Sequence, residues 1–361
     1  MQPGRAPTMK AAMSHAALLP GDIISSLSLA DARGEAWDVL QQSIAHLHRV
    51  LVLLAGPQDR PAPEALAAAE AEARRRGGVL LVVEAGPPGG AAQAGGVTRL
   101  FDPQGALARA LGFPRGGVAV LAPRGGLGFL GQGPEALRQA LDSLPEPREG
   151  VLRTPGAPVL IIPGILEPAL VAALLAHWEK GEKSRNRVAS AAGAASAAAN
   201  IKRRIDVPLD DQGLYATFQQ RLQRRVLPEM ARAFRFRAAS FEPPRIGCYD
   251  AADAGAFGAH RDNRTPFTQQ RRFALSLNLN AHGVDYEGGT LRFPEFEPDF
   301  YAPPVGGGAV FGCDMLHEAM PVTRGRRFAI FTFFTDAEGA RAEQELIRQR
   351  MAAGESGVAM R

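Results

Sequence analysis

The chain has only two cysteines, Cys248 and Cys313, and no apolar run longer than a strand. Two thiols cannot build a disulfide framework, and their separation fits no zinc-ligand spacing, so both are expected to be core side chains. The longest apolar stretches, Val50 to Ala55 and Val159 to Ile162, fall well short of the roughly 20 residues a membrane-spanning helix needs. The first residues carry Arg5 and Lys10 but no sustained apolar segment before Gly21. No secretory signal is read there, and the expectation is a cytoplasmic protein with no membrane partner. Charge of one sign is also scarce: the formal net charge is +4, with 14 basic and 14 acidic side chains in residues 1–150 and 27 against 23 in the rest. No stretch interleaves Lys or Arg with aromatics as a single-strand binding groove would, so nucleic acid is not an expected partner. The short runs Lys202-Arg203-Arg204 and Arg271-Arg272 read as solvated faces, with a site for an anionic substrate as the sharper alternative.

What is present is enough chain for two cores: 361 residues, 46% of them hydrophobic. Between Leu19 and Leu144 strand-like and helix-like stretches alternate. Strands are expected near Ile23–Leu29, Arg49–Ala55, Val79–Glu84, Val97–Phe101 and Gly117–Leu121, with helices at Glu35–Leu47, Pro63–Arg76, Pro103–Leu111 and Pro134–Leu144. Such alternation predicts a mostly parallel sheet covered on both faces. With its opening Leu19-Pro20-Gly21-Asp22 and the later run from Asp102-Pro103-Gln104-Gly105 to Leu111-Gly112, this region resembles the thioredoxin-like fold of the peroxiredoxin family over about 125 residues. Peroxide reduction in that family needs a thiolate at the N-terminus of the helix after the central strand. Here that turn reads Ala55-Gly56-Pro57-Gln58-Asp59-Arg60, and no cysteine precedes Cys248. The resemblance therefore implies a domain that has lost its chemistry and serves assembly, docking or shielding.

Prolines at 145, 147, 155 and 158 mark residues 145–158 as a linker. The expected organisation is a thioredoxin-like domain over 19–144, the linker, a second domain over 159–336 and a tail, 337–361, whose Glu343, Leu346 and Ile347 suit a helix that packs on the core or pairs with a second copy. In the second domain a strand at Val159–Ile162 precedes helices at Glu167–Lys180 and Gln212–Phe234. The small-residue run Ala189–Asn200 reads as a flexible loop, with a lid over a site as the alternative. From Phe241 to Phe334, short strands broken by glycine turns predict a barrel or jelly roll. The fold class is thus α/β followed by mainly β.

Within the β-rich part, His260 and Asp262 lie two apart, so in an extended strand they offer an imidazole nitrogen and a carboxylate oxygen to one point. His317, just after the apolar strand Ala309–Phe311, is well placed to supply the third ligand. Two imidazoles and one carboxylate on one face of an octahedral metal leave positions open, as non-haem Fe(II) requires; a zinc hydrolase is the rival metal reading. Ten residues on, Arg327 begins an otherwise apolar strand, Phe328–Phe334, with no carboxylate nearby in the motif. A buried arginine wants one, and the far carboxylate of a dicarboxylic keto acid chelating iron would supply it.

A series of segments falls in one order here: Ile246-Gly247-Cys248-Tyr249, His260-x-Asp262, Ala274-Leu275-Ser276-Leu277-Asn278-Leu279-Asn280, Tyr286-Glu287-Gly288-Gly289-Thr290-Leu291-Arg292-Phe293, Leu316-His317-Glu318 and Gly325-x-Arg327. In these the chain closely resembles the prolyl-4-hydroxylase-like branch of the Fe(II)/2-oxoglutarate dioxygenases, from about Val159 to Phe334. The resemblance implies a double-stranded β-helix with supporting helices in which His260, Asp262 and His317 hold iron. It also implies that Arg327 clamps the distal carboxylate of 2-oxoglutarate and that Tyr249 hydrogen-bonds to the bound co-substrate. Asn278 stands where some relatives place a tyrosine against that carboxylate, and its amide can still donate a hydrogen bond. The implied reaction consumes O2 and 2-oxoglutarate, releases succinate and carbon dioxide, and hydroxylates a C–H bond, most readily of an amino-acid or peptidyl substrate. Arg261, Asn263, Arg264, Arg271 and Arg292 are candidates for substrate contact. The reading from a different class is a non-catalytic metal-binding interaction protein with a redoxin-like docking domain.

Overall fold

The computed structural model describes residues 17–24, 27–56, 59–90, 93–94, 96–147, 150, 156–185, 202–265, 268–296 and 298–352. The chain divides into two compact units, Met1–Val151 and Leu152–Arg361. The small-residue run Ala189–Asn200 lies outside the described residues.

Unit one is an eight-stranded sheet with helices. Its strands are β1 (Ser28–Ala30), β2 (Ala36–Asp38), β3 (His48–Leu54), β4 (Gly78–Ala85), β5 (Gln93–Ala94), β6 (Val97–Asp102), β7 (Gly117–Leu121) and β8 (Leu127–Gly131). The spatial order is β2-β1-β6-β4-β3-β7-β8, with β5 on β6. Side chains alternate across it: Leu51 and Leu53 enter one core, Val50, Val52 and Leu54 the other. Helix α1 (Pro63–Arg75) has proline in its first turn, as the sequence predicts. Helix α2 (Ala106–Ala110) starts later than expected because the Asp102 carboxylate accepts from the backbone N–H of Ala106 and Leu107, both at 2.9 Å. Helix α3 spans Ala136–Asp142.

Two expectations for this unit fail. The stretch Glu35–Leu47 is not a helix: β1 and β2 form a hairpin there, and only Gln42–Ile44 makes a 3-10 turn. The Asp31 carboxylate accepts from Arg33 N at 2.8 Å and Glu35 N at 2.9 Å, and Gly34 takes φ +86°, so local turn chemistry overrides the apolar spacing. Nor is the sheet mostly parallel. Only the β3–β4 and β4–β6 pairings are parallel. Strand β8, which the apolar pattern does not reveal, returns antiparallel on β7 through a turn closed by Gly125 N to Ala122 O at 2.8 Å.

Unit two is two antiparallel sheets with helices on one side, a jelly roll. Its strands are β9 (Leu160–Ile162), β10 (Ser184–Arg185), β11 (Lys202–Arg203), β12 (Ile205–Pro208), β13 (Ser240–Phe241), β14 (Arg245–Asp250), β15 (Ala256–His260) and β16 (Phe273–Asn278). These are followed by β17 (Tyr286–Gly288), β18 (Leu291–Arg292), β19 (Phe300–Tyr301), β20 (Gly308–Gly312), β21 (His317–Ala319) and β22 (Val322–Thr335). The larger sheet runs β10-β12-β14-β22-β16-β20-β9, with β13 and β17 also on β22; the smaller runs β11-β15-β21-β18-β19.

Helix α4 (Pro168–Lys180), helix α5 (Gln212–Arg221) and helix α6 (Leu227–Phe234) bury Leu174, Trp178, Phe218 and Met230 in one cluster with Ile246, Leu277 and Ile330 of the larger sheet. The helix expected over Gln212–Phe234 is interrupted by a π segment, Leu222–Val226, immediately before Pro228, whose missing N–H cannot serve the α ladder. Helix α7 covers Ala337–Ala352. Two further clusters join the sheets. One holds Ala274 and Phe311 with Leu291, Phe293 and Met315; the other holds Tyr249, Tyr286, Ala319 and Val322, with Phe257 and Phe331 packed against them.

Candidate metal centre and acid-binding pocket

Pairing of β15 with β21 puts His260 directly opposite His317. Asp262 follows two residues after His260, and its N–H donates to Cys313 O at 2.9 Å, which turns the chain so that the carboxylate faces both rings. His260 Nε2 lies 3.3 Å from Asp262 Oδ1, and His317 Nε2 lies 3.3 Å from Asp262 Oδ2. The three ligand atoms all fall within 4.8 Å of one another, a grouping able to hold a metal ion. The opposite ring nitrogens are committed: His260 Nδ1 donates to Gly258 O at 2.8 Å and His317 Nδ1 to Met315 O at 3.0 Å. A carbonyl can only accept, so these bonds set the tautomer that leaves each Nε2 lone pair turned to the shared point. Phe257 stacks on His260 at 3.5 Å between ring centroids and Phe311 meets His317 at 4.6 Å, so both rings are fixed in orientation. Burial works to raise the Asp262 carboxyl; His317, His260 and Arg271 override it and hold the group below the ordinary carboxylate range. Burial pushes the His317 imidazole down. Both shifts favour the ligand forms, carboxylate and neutral imidazole.

Arg327 is 1% exposed, and among the described residues no carboxylate pairs with it. Its Nη2 donates to Ser276 Oγ at 3.0 Å and Asn278 Oδ1 at 2.9 Å, its Nε reaches Asn278 Oδ1 at 3.3 Å, and its Nη1 has no hydrogen-bond partner among the described residues. Tyr249 stands opposite Arg327 in the β14–β22 register, and its hydroxyl accepts from Arg204 Nη1 at 3.3 Å. Arg204 is itself held by Asp206, with Nη2 to Oδ2 at 2.9 Å, and lies 4.0 Å over the Phe331 ring. Asn278 does not behave as its place in the sequence suggests. Both of its amide hydrogens are spent, on Tyr286 Oη at 3.0 Å and Pro303 O at 2.9 Å, so it orients Arg327 and Tyr286 and has no donor left for a ligand. Because Phe257 belongs to the cluster of Tyr249 and Tyr286 and also stacks on His260, the arginine pocket and the triad share one wall.

Sequence reasoning assigned no role to Ser276, Tyr286 or Asp206, and it read Lys202-Arg203-Arg204 as a solvated face, whereas Lys202 and Arg204 are buried on either side of Asp206. The period of a strand could have found two of them, since Ser276 shares a face with Asn278, and Tyr286 precedes a Gly288-Gly289 turn with φ of +69° and +60° that only glycine takes readily. A Cβ on Gly288 would sit 2.2 Å from Pro321 O, so this turn also needs hydrogen at that position for the close approach. Of the substrate-contact candidates, Arg271 is engaged within the fold, with Nη2 to Glu242 Oε2 at 2.8 Å, Nη1 to Asp262 O at 3.2 Å and its guanidinium 3.7 Å over Phe333. Arg261 pairs with Glu295, and Arg292 reaches Glu318 at 3.3 Å. Asn263 keeps a buried Oδ1 without a partner among the described residues, and Arg264 is exposed. Burial pushes the Cys248 thiol up to about 12 and Cys313 well above its usual value, consistent with inert core thiols.

Residues 245–335 match the family model of the 2OG-Fe(II) oxygenase superfamily. The chain is 34% identical over 113 residues to a PKHD-type hydroxylase of Teredinibacter turnerae, covering 29% of this chain and 48% of that protein. It is 30% identical over 185 residues to a PKHD-type hydroxylase of Acidovorax ebreus, covering 48% of this chain and 73% of that protein. It thus spans about half the length of the first relative and nearly three quarters of the second. Among solved structures, a prolyl hydroxylase of Trichoplax adhaerens in complex with a hypoxia inducible factor peptide fragment aligns at 18% identity and TM-score 0.41, over 51% of this chain and 86% of that one. With its triad inside the matched segment and two thirds of a relative covered, the chain belongs to the 2OG-Fe(II) oxygenase superfamily.

Proposed function

We propose that unit two is an Fe(II)- and 2-oxoglutarate-dependent hydroxylase of an amino-acid or peptidyl C–H bond. The observation that carries this reading is the conjunction, on one wall, of two imidazoles with bare Nε2 atoms around a carboxylate and a buried arginine whose Nη1 lacks an acceptor. The donor set of two nitrogens and one oxygen suits Fe(II) with positions left open. His260, Asp262 and His317 would hold the metal, Arg327 the distal carboxylate and Tyr249 the chelating end of 2-oxoglutarate. When bound, iron and 2-oxoglutarate supply an O2-derived oxidant, with succinate and carbon dioxide as co-products. The chain's part is geometric and electrostatic. The carbonyls of Gly258 and Met315 keep the imidazoles in the ligating tautomer, Asn278 and Ser276 hold Arg327 in place, and Phe257 and Phe311 pack against the two imidazole rings and fix their planes.

For unit one the reading is a thioredoxin-like domain without the catalytic cysteine, acting in docking or shielding. Its parallel β3–α1–β4 segment, the antiparallel β7–β8 hairpin and the final α3 support it, as does the absence of cysteine before Cys248. No helix among the described residues is long and apolar enough to cross a membrane.

The test is an anaerobic titration of metal-free protein with Fe(II) and 2-oxoglutarate, followed by visible absorption. Wild type should develop a charge-transfer band that His260→Ala abolishes. A folded wild type that gives no band at any concentration sinks the hydroxylase reading and leaves a metal-binding interaction protein.

A further inference from the structure

We propose that Arg271, gripped by Glu242, is the positioning residue of the Asp262 carboxylate and thereby sets how tightly the triad holds its metal; this rests on the hydroxylase reading above. Of the three ligands, Asp262 alone lies on no strand, since β15 ends at His260 and β21 begins with His317. The histidines are placed by the β15–β21 pairing and by their ring bonds to Gly258 O and Met315 O. Asp262 is placed by what grips its peptide groups. Its N–H donates to Cys313 O at 2.9 Å, and its carbonyl accepts from Arg271 Nη1 at 3.2 Å. Cys313 N–H donates in turn to Arg272 O at 3.0 Å, so Asp262, Cys313 and the Arg271-Arg272 pair form a closed circuit. Two links of that circuit are backbone bonds, which a side-chain substitution leaves in place. The third is one guanidinium.

That guanidinium is held from two directions. Its Nε meets Glu242 Oε1 at 2.5 Å and its Nη2 meets Oε2 at 2.8 Å, while the Phe333 ring lies 3.7 Å from its centre. Glu242 is itself pinned to β22: its N–H donates to Phe333 O at 2.9 Å and its carbonyl accepts from Thr332 Oγ1 at 2.6 Å. A rigid strand of the larger sheet thus reaches the Asp262 carbonyl through one ion pair. The arrangement uses the planar fork of arginine, which spends two nitrogens on one carboxylate and keeps the third, in the same plane, for the carbonyl. A lysine in its place would keep the charge but replace the fork by one nitrogen on a flexible stem. The next residue supplies the internal contrast. Arg272 meets Asp336 at 3.1 Å, its side chain is 39% exposed, and among the described residues that side chain bonds none of the three ligands.

The experiment titrates Co(II), followed by its visible absorption, into the metal-free 361-residue chain as wild type, Arg271→Met, Arg271→Lys, Glu242→Gln and Arg272→Met. Arg271→Met should weaken Co(II) roughly ten-fold or more and shift the absorption band, because the carboxylate is no longer held at one angle to the imidazoles. Arg271→Lys should weaken it nearly as much although the charge is kept. Glu242→Gln should weaken it less, since its side-chain oxygen still accepts one of the two bonds from the arginine. Arg272→Met should stay within about two-fold of wild type with its band unmoved. Wild-type affinity and band in Arg271→Met would overturn the assignment, as would full rescue by Arg271→Lys, which would make charge and not placement the cause. An equal loss in Arg272→Met would reduce the effect to general destabilisation and overturn it too. Should Arg271→Met fail to fold, Arg271→Lys and Glu242→Gln carry the test, and wild-type binding by both counts against the proposal. A folded wild type that binds no Co(II) overturns the hydroxylase reading itself, an outcome visible before any variant is made.

Discussion

Each unit buries an arginine almost completely, Arg49 in unit one at 0% exposure and Arg327 in unit two at 1%, and the two are satisfied in opposite ways. Around Arg49 the backbone closes: Nη1 donates to Ile44 O at 2.9 Å and Ala45 O at 3.3 Å, while Nη2 donates to Ala122 O and to Pro123 O at 3.2 Å. That guanidinium ties the turn before β3 to the turn after β7, and both of its terminal nitrogens are engaged. Around Arg327 the partners are two neutral side chains, and one terminal nitrogen is unanswered. Burial alone therefore does not mark a functional arginine; what differs is that both terminal nitrogens of Arg49 are answered by backbone carbonyls, whereas Nη1 of Arg327 has no partner among the described residues. The desolvation cost is tolerated in the first because the fold itself repays it, and in the second because a ligand can.

The comparison breaks or holds on a pair of variants. Arg49→Leu leaves several buried carbonyls without donors and should cost unit one about 3 to 5 kcal/mol, read as an early transition in urea denaturation. Arg327→Leu removes a buried charge that no anion answers, so its stability should change by no more than about 1 kcal/mol, while the 2-oxoglutarate dissociation constant rises on the order of 100-fold. Equal loss of stability in the two variants would mean that Arg327 is as structural as Arg49.

A third buried arginine sharpens the contrast because it has its anion. Arg204 and Lys202 flank Asp206, with Lys202 Nζ at 3.1 Å and Arg204 Nη2 at 2.9 Å from Oδ2. Burial works to raise the Asp206 carboxyl, but Arg204 and Lys202 prevail and hold it at about 2, against an ordinary 3.8. A carboxyl depressed in the folded state contributes stability above its unfolded value, and that contribution is lost as pH falls from about 4 toward 2. The amount is about 2 kcal/mol. Asp206→Asn should therefore be less stable than wild type at pH 6 by about this much or more, and the gap should narrow as urea midpoints are measured down to pH 2.5. A gap that stays constant with pH would show that the ion pair contributes nothing through ionisation.

How much of this was legible in the sequence follows from how local each feature is. His260 and Asp262 are two apart on an extended segment, and strand alternation is enough to place them together; His317 needed only the β15–β21 register to join them. The role of Asn278 was not legible, because its hydrogen bonds run to Tyr286 and to Pro303 O, contacts that exist only after the sheet has closed. The same holds for Arg271, a charge that looks like surface in the sequence and turns out to bridge Glu242 and the Asp262 carbonyl. In unit one the helix expected at Glu35–Leu47 was lost to the Asp31–Gly34 turn, a case of side-chain-to-backbone bonds outweighing apolar periodicity. The hairpin strand β8 was hidden for the opposite reason: Leu127 to Gly131 has two glycines and weak alternation, so only its pairing with β7 defines it.

The smallest effect is expected at Arg324, three residues before Arg327 on the same strand, and it is the control that gives the larger ones meaning. Its guanidinium is 51% exposed, meets Glu287 at 3.2 Å and lies 3.4 Å from Val284 O. Water competes for every one of these bonds, and a partner that is itself 55% exposed is screened by salt. Arg324→Ala should shift stability by less than about 0.5 kcal/mol, with that difference vanishing in molar salt, and should leave 2-oxoglutarate affinity within two-fold, roughly the scatter of a titration. If instead it weakened 2-oxoglutarate as Arg327→Leu does, the acid would be drawn by the general positive charge of this strand, and neither the burial of Arg327 nor its unfilled nitrogen would be the cause.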